Sequence, residues 1–139
     1  MGERLMKNSE IYQQLTLEMD ALRERRKQIG ASMIQEGLRE VFDTYPEVQS
    51  ISWAQYTPYF NDGDECKFGV RNDEPDINEI CGYEIPYTPE TKHLVPAQEL
   101  ARSILQQIIE EDYKEMFGDH VRVTIKRDGE ALIEEYDHD

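Results

Sequence analysis

The sequence predicts an α+β fold: a four-stranded antiparallel sheet of two β-hairpins, helices on one face, in the order α-ββ-loop-α-ββ. Three observations predict it. Apolar residues recur at three-, four- or seven-residue spacing over residues 11–42, and again over 96–117, which is the period of a helix with one buried stripe. From Val48 to Val70, and again from Val121 to Tyr136, the apolar period falls to two. Asn61-Asp62-Gly63-Asp64 and Asp128-Gly129 stand where each alternating pair has to turn, with a glycine free to take positive φ.

The first element is a long N-terminal helix. Ile11, Leu15, Met19, Leu22, Ile29 and Met33 mark its stripe, and Asn8 or Ser9 can accept from a free N–H at its start. Arg23, Arg25, Arg26 and Lys27 interrupt the stripe, and Gly30 weakens the helix by about 1 kcal/mol relative to Ala. The stripe resumes at Met33, Ile34, Leu38, Val41 and Phe42, so the segment reads as one helix or as two joined near Gln28 to Gly30. Pro46 disfavours helix at Tyr45. The seam Leu15, Leu22, Ile29 is narrow and has charged flanks, a geometry of helix pairing, so residues 9–43 are expected to join a homodimer or higher oligomer. The chain divides accordingly into a helical segment, 1–47, and an α+β domain, 48–139.

The strands of the first hairpin run through Val48, Ile51, Trp53 and Tyr56–Phe60, then through Cys66, Phe68 and Val70. Pro58 cannot donate to a ladder and suggests an edge or a bulge near the tip. Residues 72–94 break into a long acidic loop containing Pro75, Pro86 and Pro89, which Ile80, Tyr83 and Ile85 can pack down as a short extra strand. Pro96 opens a second helix, buried along Leu100, Ile104, Ile108 and Phe117 and widened by Leu105 and Ile109. Glu110, Glu111, Asp112 and Glu115 are expected to face outward, and Gly118 stops the helix. The last hairpin pairs Val121, Val123 and Ile125 with Ala131–Tyr136. Trp53, Cys66, Phe68, Leu100, Ile104, Ile108, Val123 and Ile125 should form one core.

Charge is the strongest global signal. The 139 residues carry 30 acids and 15 bases, for a formal net charge of −15. Residues 1–47 hold only −2 of this, while 48–95 hold −6 and 96–139 hold −7. Phosphate contacts need Lys and Arg, so nucleic acid is not expected as a direct ligand. No apolar run approaches the ~20 residues of a membrane span, and no apolar stretch follows Met1-Gly2-Glu3-Arg4, so neither membrane nor secretory signal is expected.

Chemistry-bearing patterns are sparse. Cys66 and Cys81 lie fifteen positions apart without a CxxC, and read as two reduced, partly buried thiols. His93, His120 and His138 occupy separate segments, and Asn61-Asp62-Gly63-Asp64-Glu65 lacks the alternating ligands and distal Glu of a calcium loop, so no metal is expected. GxSxG, P-loop and HExxH patterns are absent. No cofactor and no enzymatic activity are expected. The aromatic run Trp53, Tyr56, Tyr59 and Phe60 reads first as hairpin core, but its density exceeds what one sheet face needs, and Tyr and Trp anchor interfaces.

The segment Trp53-Ala54-Gln55-Tyr56-Thr57-Pro58-Tyr59-Phe60-Asn61-Asp62-Gly63-Asp64-Glu65-Cys66 resembles a motif of small acidic proteins of tailed bacteriophages. The Arg127-Asp128-Gly129 turn and the ending Glu135-Tyr136-Asp137-His138-Asp139 are similar to theirs as well. The likeness covers both hairpins, about a third of the chain. It implies a phage origin and a bacterial host cytoplasm, and carries no activity or catalytic residue over.

Function is therefore expected in binding. The first expectation is a protein that inhibits a host nucleic-acid-handling or defence enzyme through its negative surface, imitating a phosphate backbone. Asp73, Glu74, Asp76, Glu110, Glu111, Asp112 and Glu115 would then meet a basic surface of the host protein. The alternative is an oligomeric sponge for a nucleotide signal of antiviral defence. There the aromatic run would stack a base and Arg71, Lys67 or Arg122 would meet a phosphate. The third is a regulatory or structural phage protein without an enzyme target.

Overall fold

The computed structural model describes residues 2–59, 63 and 65–137. The fold is α+β: a long N-terminal helix, an antiparallel sheet and further helices. Helix α1 spans Gly2–Thr44, followed by strands β1 (Ser50–Tyr56), β2 (Gly69–Val70) and β3 (Asp76–Ile77). A 3-10 turn at Lys92–Leu94 leads into α2 (Val95–Leu105) and α3 (Glu110–Phe117), and β4 (Val121–Lys126) and β5 (Ala131–Glu135) close the chain. The order across the sheet is β2-β1-β4-β5, with β3 also on β1, so the sheet has five strands rather than the four expected.

Strand β1 is central. Its register with β4 pairs Ile51 with Ile125, Trp53 with Val123 and Gln55 with Val121, which puts these six on one face. That face lies under the helices, and Trp53 meets Tyr113 and Phe117 edge-to-face, each at 5.8 Å between ring centroids. The last third of α1 joins the same core through Ile34, Leu38, Val41 and Phe42, so the core takes residues from both sides of position 47.

α1 runs unbroken through Gly30. At Gly37 the absence of a side chain is required: a Cβ there would sit 2.5 Å from Cγ2 of Ile104 on α2. The C-terminal end of α1 is finished by Arg127, whose guanidinium donates to the carbonyls of Tyr45 (3.0 Å), Pro46 (2.9 Å) and Val48 (3.0 Å). No helix among the described residues is long and apolar enough to cross a membrane.

Five sequence expectations are corrected. The first hairpin is not a continuous ladder, since its returning strand is only Gly69–Val70. Beyond Tyr56 the Thr57 N–H and hydroxyl both turn to the Asp119 carboxylate (2.8 and 2.7 Å), and Pro58 has no N–H to give, so pairing stops. Phe68 is accordingly half-buried at the edge of the core and Cys66 lies outside it, while Trp53, Ile104, Ile108, Val123 and Ile125 are core and Leu100 is half-buried. The second helix is two helices. The Leu105 carbonyl accepts from the Tyr113 hydroxyl and from Asn72 Nδ2 (3.2 Å), and Ile109 is extended (φ −74°, ψ 153°) and exposed. Loop 72–94 carries its extra strand at Asp76–Ile77, with Ile80 bridging to Ile77, Ile85 buried and Tyr83 exposed. Asp112 points inward, as described below. The turn at Asn61, Asp62 and Asp64, the ring of Phe60 and His138 lie outside the described residues.

The close approach at Gly37 yields a paired prediction. Gly37→Ala gains about 1 kcal/mol of helix propensity but loses ~1–3 kcal/mol to overpacking against Ile104, so the melting temperature should fall. Gly30→Ala places its Cβ at an ordinary 3.6 Å from Ile108 and should hold or raise it. Equal effects of the two in thermal denaturation would contradict the α1–α2 contact.

Candidate functional site

The candidate site is the open face of the sheet. On β1 and β4 the residues that alternate with the core set are Ser52, Ala54 and Tyr56 on one strand and Arg122 and Thr124 on the other. Segment 71–83 runs along the edge of β1, where Asp76–Ile77 pairs with it, and borders a hollow of about 480 Å³ lined by Ala54, Tyr56, Arg71, Arg122, Tyr83, Tyr136, Cys81 and the acids Asp73, Glu74, Asp76 and Glu79. A second hollow of about 810 Å³ shares Arg122 and Glu79 and extends to Lys126 and Leu132.

Three residues hold this segment in place. Asp76 accepts from the Gly82 N–H (2.7 Å) through one oxygen and from Arg122 (2.6 Å) through the other. Arg122 also donates to the Ser52 hydroxyl (3.0 Å), so it is fixed on the sheet. Asn78 adopts a left-handed backbone (φ 54°), and its amide meets Gln49 N–H, Ser50 N–H and the Glu47 carbonyl. Gln98 of α2 is buried and donates to the Pro75 and Gly82 carbonyls (3.1 and 2.8 Å). The chain passes so close at Gly82 that a Cβ would lie 1.9 Å from the Glu74 carbonyl oxygen.

Arg71 sits differently from Arg122. Its Nε and Nη2 donate to the Tyr56 hydroxyl (3.0 and 2.8 Å), and among the described residues it makes no ion pair. The Tyr56 hydroxyl bonds raise its pKa further, against the opposing effect of burial, so it is a permanent cation. Tyr56 and Tyr136 lie 5.7 Å apart between ring centroids.

The residues singled out from the sequence are dispersed. Tyr56, Arg71, Asp73, Glu74 and Asp76 come together at this hollow. The Trp53 ring belongs to the core, its indole N–H donating to Gln55 Oε1 at 3.1 Å. Tyr59 stacks on His120, centroids 4.6 Å apart. Glu110, Glu111 and Glu115 are exposed on α3, but Asp112 is 2% exposed and paired with Arg26 of α1 at 2.8 Å, and Glu111 meets the same guanidinium at 3.4 Å. The expectation that all four face outward fails at Asp112. An eight-residue helix lying against α1 must turn one side inward, and a basic residue on α1 receives it. Asp76 is likewise committed within the fold, to Arg122 and Gly82. Sequence reasoning missed Tyr83, Glu79 and Tyr136 at this hollow: loop 72–94 shows no period that would place the first two, and Tyr136 stands just past the end of β5.

Cys66 and Cys81 are both free, Cys66 half-buried and Cys81 exposed. Among the described residues no group of three or more His, Cys, Asp or Glu is placed to hold a metal ion. Comparison with protein-family models, curated proteins and solved structures gives no match.

Asp76→Ala should loosen segment 71–83, since it leaves Arg122 without its carboxylate and the Gly82 N–H without its acceptor. The expected loss is about 1.5–3 kcal/mol for a hydrogen-bonded charge, read by chemical denaturation. An unchanged midpoint would remove Asp76 from the architecture of the hollow.

Proposed function

We propose that the protein is a non-enzymatic binding protein that meets a basic surface of a host protein through its acidic body and self-associates through the outer part of α1. The observation that carries the reading is charge left uncancelled. Among the described residues the only acids that meet a base are Asp20, Glu24, Asp76, Glu111, Asp112, Asp119 and Glu130, in a chain with 30 acids. Asp73, Glu110 and Glu115 are exposed and outside every ion pair of the described residues, and Glu74 is half-buried at the rim of the hollow. A surplus of this size steers a basic partner over distances of about a Debye length, roughly 10 Å at 0.1 M salt.

Self-association is supported by the outer part of α1. Residues 7–26 are exposed throughout, and Leu15, Leu22 and Ile29 are 53%, 65% and 51% exposed, so the seam read from the sequence is uncovered in the single chain. Beyond Gly30 the helix is built into the core, so in this reading residues 9–29 of the expected 9–43 carry the self-association. A nucleic-acid-handling or defence enzyme of the bacterial host is the partner class that fits, because its substrate channel is positively charged. A small-ligand function is favoured by a separate observation, the hollow that holds Arg71 and Arg122 beside Tyr56, Tyr83 and Tyr136.

Capture from bacterial lysate at low and high salt tests the reading. A nucleic-acid enzyme should be retained at low salt, be released by high salt, and be inhibited by the purified protein. Reversing Asp73, Glu74, Glu110 and Glu115 together to Lys should leave the fold intact and abolish inhibition at low salt. Inhibition that survives the reversal, or retention that ignores salt, contradicts the acidic-surface reading.

A further inference from the structure

We propose that the hollow on the open sheet face binds a small phosphate monoester carrying a planar ring, in chemical class a mononucleotide. This stands independently of the acidic-surface reading and does not require a protein partner.

The argument starts from the cation. In a chain of net charge −15, an arginine that lines a cavity and makes no ion pair among the described residues is conspicuous by its position. Arg71 is held by a neutral acceptor, the Tyr56 hydroxyl, and Asp73 acts on its charge from a distance without forming an ion pair, so the guanidinium is positioned and its remaining donors face no carboxylate directly. A guanidinium fork of this kind matches phosphate oxygens in pairs. Arg122 lines the same hollow but is already ion-paired with Asp76.

The walls define the rest of the ligand. Tyr83 is 55% exposed and lines the hollow, so its ring presents aromatic surface for a base to stack on. Asp73, Glu74 and Glu79 line the hollow too and only accept hydrogen bonds, which suits sugar hydroxyls and exocyclic amines. The same carboxylates repel a chain of phosphates. The hollow therefore suits one phosphate better than three. At about 480 Å³ it falls within the range of small-ligand sites, about 300–1,000 Å³.

Isothermal titration of the full chain with adenosine and guanosine 5′-monophosphates, adenosine triphosphate and inorganic phosphate tests this. At least one monophosphate should bind, more tightly than the triphosphate and more tightly than inorganic phosphate. Arg71→Ala should weaken that binding at least about tenfold, the equivalent of one charged hydrogen-bond pair. Tyr83→Ala removes an exposed ring and keeps the core, so it should also weaken binding, even if Arg71→Ala fails to fold. Absence of binding by both monophosphates, a preference for the triphosphate, or affinity unchanged in Tyr83→Ala or in folded Arg71→Ala would overturn the proposal.

Discussion

Burial of the Trp53–Gln55 stretch of β1 is the constraint around which the rest of the molecule is arranged. An amide buried without partners costs about 1–3 kcal/mol, and Gln55 is fully buried. Its Nε2 donates to the carbonyls of Tyr113 (2.9 Å) and Gly118 (2.7 Å), and its Oε1 accepts from the Trp53 indole. One side chain thus ties the central strand to the middle of α3 and to the residue that ends it. The Trp53 ring fills the space beneath, against Tyr113 and Phe117.

The acidity also serves purposes that need no partner. β5 is a sheet edge with Leu132 and Ile133 exposed on opposite faces, and such an edge invites pairing with another chain. Glu130, Glu134 and Glu135 border it and discourage that pairing. Arg26 answers Asp112 from α1, and Asp119 takes the Thr57 donors that β1 no longer uses. Burial alone would raise the Asp119 carboxyl, but hydrogen bonds from Thr57 and His120 outweigh it and hold its pKa below the ordinary value. These acids are parts of the fold. The acids outside ion pairs on α3 and at the rim of the hollow are not explained by such duties.

Much of the architecture was legible because it rests on period and on strong stop signals. The period of two over Val121–Ile125, the Asp128-Gly129 turn and the 3.6 period around Leu38 and Ile104 all reappear as strands, a turn and helices. What was not legible depends on contacts far apart in sequence. Asp119 diverts Thr57 across 62 positions, which shortens the first hairpin and leaves Phe68 half-buried. Tyr113 and Asn72 take the Leu105 carbonyl, which divides one apparent helix into two. Gly37 reads as an ordinary helix-weakening residue until Ile104 is seen beneath it. The hollow was half visible: Tyr56, Arg71 and Arg122 were each legible as ligand-binding types, but only the fold of 71–83 brings them beside Tyr83 and Tyr136.

The same division runs along α1. From Gly30 onward its apolar residues are spent on the core, while Ile11, Leu15, Leu22 and Ile29 remain exposed on a stretch about 30 Å long. Water solvates that apolar seam at a cost in the single chain, which supports the proposal that a second copy of the chain covers it. Amide hydrogen exchange measured across a wide range of protein concentration tests this most directly. The account predicts that protection of residues 9–29 rises with concentration while protection of the sheet stays constant. Rapid exchange of residues 9–29 at every concentration would contradict it.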